Sequence, residues 1–385
     1  MNSLLIRDNK SIWIRNIAVF LIIGNLLYFY FSFPPIYWRV SFVLLALATF
    51  FSNDNRPSLF EKIILCFIGF NLLHFIISFI WINPTTTNLG NTLFCLSAFL
   101  LFPYLGRKKV LNSGFLLLTI ILLTISGIAH FYNAQEIAAT RYLEFDIDSY
   151  TNNASVVFLF ILPSLFYIKN NVLRYTILTV CLFFLVSSVK RGNILASIIP
   201  VVLIVWFSLK DTKGSIWKTI FIFASIAFIY YYVREWILSN EYFISRYEQT
   251  LEGYSSNRDI IYFEAWSLWY NSGDFIKMLF GYGYDGTINN MITGYRAHND
   301  WLELLVDYGL LGVGFYLYIF VLLFGQIKHS INRSRLVLVA SLIIWFMKSC
   351  YSMGFTDEFL ALLSLPVGCA ISDTIVDDET SSIYR

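Results

Sequence analysis

The chain has 385 residues, 57% hydrophobic and 14% charged, with a formal net charge of +2. A soluble domain carries roughly a quarter charged residues, so most of this chain is dissolved in lipid. The small net charge and the absence of a long basic run exclude nucleic acid as a partner.

Arg7, Lys10 and Arg15 precede an apolar run over 17–33. The run is long for a signal-peptide core and no small-residue cleavage pattern follows, so it reads as a first transmembrane helix that stays in place. Further candidate spans are 37–51, 63–82, 92–105 and 110–131, then, after a polar loop, 154–168, 173–189, 194–209 and 216–233. A longer polar loop leads to 305–324, 336–350 and 359–371. The predicted fold is all-α: a polytopic membrane protein of about 12 transmembrane helices, with one large outer loop containing short amphipathic helices. Residues 1–233 form an N-terminal bundle of about nine helices. The active loop is 234–304, the C-terminal helices 305–371, and 372–385 a polar tail expected to be disordered. Cys66, Cys95, Cys181, Cys350 and Cys369 lie in or beside apolar runs without a CxxC pair, and read as small core residues.

The basic residues of the short loops set the orientation. A cytoplasmic N-terminus collects Arg56, Lys62, Arg107, Lys108, Lys109, Lys169, Arg174, Lys210, Lys213, Lys218, Lys328, Arg333 and Arg335 on the inner side. Both termini are then inside, and the loops 132–153 and 234–298 face outside. Lys190 and Arg191 break the pattern, standing at the outer end of a tight helical hairpin. They either snorkel to lipid phosphates or pre-place an anion site, where Gly192 lets the backbone approach and the next helix presents its positive end.

The outer loop is net acidic and dense in aromatics, including Tyr262, Trp266, Trp269 and Tyr270. Aromatic faces beside Asp, Asn and Arg suit sugar rings; an aromatic belt at headgroup level is the alternative. Residues 258–270 read as an amphipathic helix with Ile261, Ala265 and Leu268 on one face and Asn257 as its cap. The segment GYGYDG reads as a flexible turn, without the strand, lysine and helix of a phosphate loop. His298 sits in a polar setting, RAHND, at the start of a helix that re-enters the membrane. It is either a solvated loop histidine or a base that takes a proton from a sugar hydroxyl.

Arg258, Trp266, the run Leu279-Phe280-Gly281-Tyr282-Gly283, His298-Asn299, Leu302, Gly309 and Gly312 together resemble the O-antigen ligase and polymerase family, of the Wzy and WaaL type. The upstream SSVKRGN is similar to that family's helix-end Ser-Arg-Gly element, with Val189-Lys190 before Arg191. The resemblance implies a bacterial inner-membrane glycosyltransferase with a periplasmic active loop. Its donor would be a glycan on undecaprenyl pyrophosphate, and an acceptor sugar hydroxyl would attack the anomeric carbon with inversion. It puts Arg258 and Arg191 on the pyrophosphate and makes His298 the base or the group that positions the acceptor. Lys190, Arg246, Arg296, Asn299, Gly281, Gly283 and Trp266 are the further candidate substrate-binding residues. No metal or other cofactor is expected. The implied partners are the lipid-linked donor and acceptor, the bilayer, a chain-length regulator and a flippase. Polymerase is favoured over ligase because the Phe-, Ile- and Asn-rich composition is typical of polysaccharide gene clusters. A lipid-oligosaccharide transporter is a third reading, disfavoured because the spans are nearly free of charge.

Overall fold

Backbone amides in lipid must be satisfied within the protein, and a helix does so inside one segment. In the computed structural model, residues 9–52, 57–81, 86–142, 152–188, 190–210, 231, 235, 257–330 and 332–383 are described, and every regular element among them is helical. The helices are α1 Asn9–Leu26, α2 Pro35–Phe51, α3 Leu59–Trp81, α4 Thr86–Arg107 and α5 Ser113–Tyr142. Next come α6 Val156–Ile161, flanked by 3-10 turns, then α7 Asn171–Ser187 and α8 Arg191–Lys210. The loop region supplies α9 Arg258–Tyr270, α10 Phe275–Phe280 and α11 Gly286–Asn290. The chain ends with α12 Asp300–His329, α13 Asn332–Tyr351, a 3-10 turn Glu358–Leu363 and α14 Ser364–Ile383.

Six of the described helices, α3, α4, α5, α8, α12 and α13, are long and apolar enough to cross a membrane, and three shorter apolar helical stretches accompany them. The expected count of about 12 is therefore not reached among the described residues. The first predicted span stops early: α1 ends at Leu26, because the Pro34-Pro35 pair starts α2 and the preceding residues turn. The predicted span 216–233 falls almost entirely outside the described residues. The polar loop expected from residue 132 begins later, since α5 runs on to Tyr142. The tail expected to be disordered continues α14 as far as Ile383.

The chain groups into two compact units. Met1–Asn112 and Ser256–Arg385 form one unit, and Ser113–Ser255 the other. In the first unit α4 is the buried centre, with Phe94, Phe99 and Phe102 almost fully enclosed. It packs closely on α14, where a side chain on Gly368 would strike the Phe102 carbonyl. Small residues at such a contact let two membrane helices approach at backbone distance.

Polar contacts sort the helix ends of this unit into two sides. On one side Arg107 at the end of α4 pairs with Glu61 at the start of α3, and Arg15 of α1 donates to the Val110 carbonyl at 2.8 Å. On the other side Arg39 of α2 meets Asn25 at the end of α1, Asn91 near the start of α4, and Glu358 at 3.0 Å. Lys348, near the end of α13, pairs with Asp357 at 3.1 Å on that same side. The spans are thus less free of charge than expected, but each of these cations stands near a helix end, and Arg107, Arg39 and Lys348 each have an acidic partner.

α12 is broken at Gly309, whose φ of 65° and ψ of −161° are not helical. The break releases the carbonyls of Val306 and Asp307, which accept from Tyr282 N at 2.7 Å and Gly283 N at 3.0 Å. GYGYDG is therefore a packed segment locked along α12, not a flexible turn. Gly281 and Gly309 face each other, both at positive φ, and a β-carbon on either would collide with the other's backbone segment. Gly281→Ala is expected to lower stability by about 2 kcal/mol or more, since the left-handed strain and the collision add. A thermal melt of the purified variant checks this; an unchanged midpoint would mean that the segment can detach.

Candidate functional site

α9 forms where the apolar spacing predicts it, burying Ile261, Ala265 and Trp269 with Leu268 beside them. Its neighbours in that cluster are Met291, Ala297, Leu305 and Val306. The Trp269 indole donates to the Met278 carbonyl at 3.1 Å, and the Tyr282 hydroxyl to the Leu268 carbonyl at 2.9 Å. These two bonds tie α10 and the glycine segment to α9. Asn257 occupies the cap position in the left-handed region, but its side chain makes no cap hydrogen bond, so the expected capping is absent.

Beneath this surface is a buried knot of charge. Arg296 pairs with Glu303 at 2.7 Å and with Asp285. The Glu303 carboxylate also accepts from Ala297 N at 2.7 Å and from the Thr287 hydroxyl at 2.9 Å. Asp307 accepts from Thr287 N at 2.9 Å. Burial alone would push the Arg296 guanidinium down. The carboxylates of Glu303, Asp307 and Asp285 outweigh that and hold it above its ordinary value. Arg296 thus fastens the loop onto α12.

The exposed part of the site lies at the ends of α9, α12 and α13. Arg258, half-buried in the first turn of α9, donates from Nη1 to the Tyr351 carbonyl at 2.8 Å. Asn299 caps α12, accepting from Trp301 N at 3.0 Å and Leu302 N at 3.2 Å, and donates to the Cys350 carbonyl at 3.0 Å. The end of α13 is therefore a shelf of two carbonyls that receives both residues. His298 is exposed and has a φ of 51°. For a non-glycine residue such a conformation costs about 1–3 kcal/mol and persists only where its surroundings impose it. The Tyr262 hydroxyl donates to the His298 carbonyl at 3.3 Å. Burial lifts the Tyr262 phenol above its ordinary value, against the pull of Arg258 and of hydrogen bonds from Asn299 and Arg258. It is therefore a neutral donor near pH 7.

Arg258, Tyr262 and Trp266 are spaced four residues apart and so share one stripe of α9. Trp266 is 48% exposed and stacks on Tyr270 with ring centroids 6.0 Å apart. A cation at one end of the stripe and an aromatic platform at the other can take a phosphate and a sugar ring.

The structure brings Arg258, His298, Asn299 and Trp266 to this surface, and gives Gly281, Gly283 and Arg296 packing work below it. Arg191 and Lys190 belong to the second unit. There α8 starts at Arg191 as expected, and Arg191 is exposed. The Lys190 ammonium donates to Asn153 at 2.6 Å, while Asn193 holds Ser155 at 3.0 Å. Arg246 lies outside the described residues.

Sequence reading overlooked Tyr262, Thr287, Glu303 and Asp307 as members of this assembly. A signal existed for two of them. Glu303 and Asp307 stand four residues apart inside an apolar run, and acids at helical spacing in such a run must have buried partners.

Fold and site together define a polytopic helical membrane protein that presents an arginine and a histidine at adjoining helix ends. Residues 176–317 match the family described as O-antigen ligase. The match covers less than half of the chain and is a likeness to that family over this segment. The matched stretch contains Arg191, Arg258, Trp266 and His298. No curated protein matches the chain.

Proposed function

We propose that this protein is a repeat-unit polymerase of O-antigen or another surface polysaccharide, which takes its glycan from undecaprenyl pyrophosphate at the periplasmic face of the inner membrane. The observation that carries this reading is the junction of Arg258 and His298 at the end of α13. The sorting of helix ends supports the orientation. Lys10, Arg15, Lys62, Arg107, Lys108 and Lys109 gather around the end opposite the site, as expected of a cytoplasmic face.

In this reading an acceptor sugar hydroxyl attacks the anomeric carbon of the donor. The new C–O bond forms as the bond to the pyrophosphate oxygen breaks, and the electron pair leaves with the pyrophosphate. Arg258 stabilises the charge that develops there, in a partly buried setting where a charge-assisted hydrogen bond is stronger than in water. The His298 imidazole accepts the hydroxyl proton. Trp266 stacks on a donor sugar. A single displacement inverts the anomeric centre. Arg191 is assigned to the pyrophosphate on the family resemblance alone.

A second reading is transfer of the finished chain to lipid A-core, and the description of the matching family, O-antigen ligase, favours it. A surface-polysaccharide gel from a strain lacking this chain separates the two. A single repeat left on lipopolysaccharide is the result expected of a lost polymerase. Loss of all attached polysaccharide, with lipid-linked polymer accumulating, is the result expected of a lost ligase. An unaltered ladder would overturn both readings.

A further inference from the structure

The proposed chemistry uses two groups from different elements, Arg258 at the start of α9 and His298 just before α12. The end of α13 holds Arg258 and Asn299 at neighbouring carbonyls, which sets where the two elements meet but not how the Arg258 guanidinium and the His298 main chain are turned. One side chain bridges them. Tyr262 lies one turn beyond Arg258 on the same stripe of α9, its hydroxyl within hydrogen-bonding reach of the Arg258 and Asn299 side chains. That hydroxyl also donates to the His298 carbonyl at 3.3 Å. A phenol has one donor and two acceptor lone pairs, so all three bonds can coexist. The ring packs against the cluster that includes Ile261, Ala265 and Ala297, leaving the hydroxyl to serve the polar surface.

We infer that Tyr262 is a positioning residue: its hydroxyl sets the Arg258 guanidinium and holds the left-handed main chain of His298, keeping cation and imidazole in register. This rests on the reading of Arg258 and His298 given above. Tyr262 does not exchange a proton with substrate. It acts through its two neighbours, and its loss is felt only while they are in use.

The test uses full-length protein in lipid nanodiscs. Tyr262→Phe keeps the packing ring and removes only the hydroxyl. Its turnover number is expected to fall by about tenfold, the usual scale of one hydrogen bond to a charged group, with an unchanged melting temperature. Binding of undecaprenyl pyrophosphate is then measured for Tyr262→Phe, Arg258→Ala and the double variant. Tyr262→Phe is expected to weaken binding several-fold in the wild-type background, and to add less than about twofold once Arg258 is gone, because the two act as a unit. Unchanged turnover and binding in Tyr262→Phe would overturn the inference. So would a lowered melting temperature with fully additive losses, which marks a merely structural residue. If Arg258→Ala binds the lipid and turns over normally, the reading of the site itself falls, and the inference with it. Normal Tyr262→Phe beside a crippled Arg258→Ala sinks the inference alone.

Discussion

Arg258→Ala is expected to cut glycan transfer at least about 100-fold while the protein still accumulates in the membrane, the scale seen when one preorganised donor to a developing charge is removed. The guanidinium spends Nη1 on the Tyr351 carbonyl, also serves the Tyr262 hydroxyl, and has further N–H groups for a ligand. It is half-buried, so a pyrophosphate there meets a cation less screened than one in bulk water. Arg258→Lys should not restore the rate. An ammonium is a point charge, and it cannot hold the carbonyl shelf while presenting a planar fork to a phosphate. The measurement is initial transfer rate with lipid-linked donor, alongside membrane abundance by immunoblot. Full activity in Arg258→Ala at normal abundance would remove the central residue of the site.

Arg296→Met is expected to act on stability, not on chemistry. Removing the only cation described within the knot leaves Asp285, Glu303 and Asp307 facing one another in a buried space. Breaking a buried pair by deleting one partner costs about 3–5 kcal/mol, because the remaining charge is left without compensation. The loop would then lose one of its attachments to α12, and the variant should melt well below wild type. Arg296→Met combined with Glu303→Gln should recover part of the loss, since the second change removes a stranded charge. A double variant no better than the single one would argue against the pairing. A melting temperature unchanged by Arg296→Met, with weaker donor binding, would support the substrate-binding role for which the sequence makes Arg296 a candidate.

The same residue shows where sequence reading reaches its limit. An arginine two positions from a candidate base looks like a ligand for an anionic substrate. Its actual partners are 11 and seven residues away, across a turn and on another helix. Arg258 was legible because it opens an amphipathic helix whose apolar spacing is local. His298 was legible because a polar group at the start of a re-entering helix stands out against an apolar chain. Tyr262 was one aromatic among many, since only the fold puts its hydroxyl against the His298 carbonyl.

The sequence by itself determined that this is a helical membrane protein, where its α3, α4, α8, α12 and α13 spans lie, and that α9 is amphipathic over Arg258–Tyr270. Those features follow from hydropathy and a 3.6-residue period, which are properties of adjacent residues. Tertiary structure alone decided that the first 112 residues group with the last 130, from Ser256 to Arg385. It alone locked the glycine segment onto the break in α12, and paired Arg296 with Asp285 and Glu303. Each of these depends on which buried polar group or close backbone contact meets which partner. Such pairings are set by packing across long stretches of chain, where a buried charge or a released carbonyl must find its complement wherever the fold brings one.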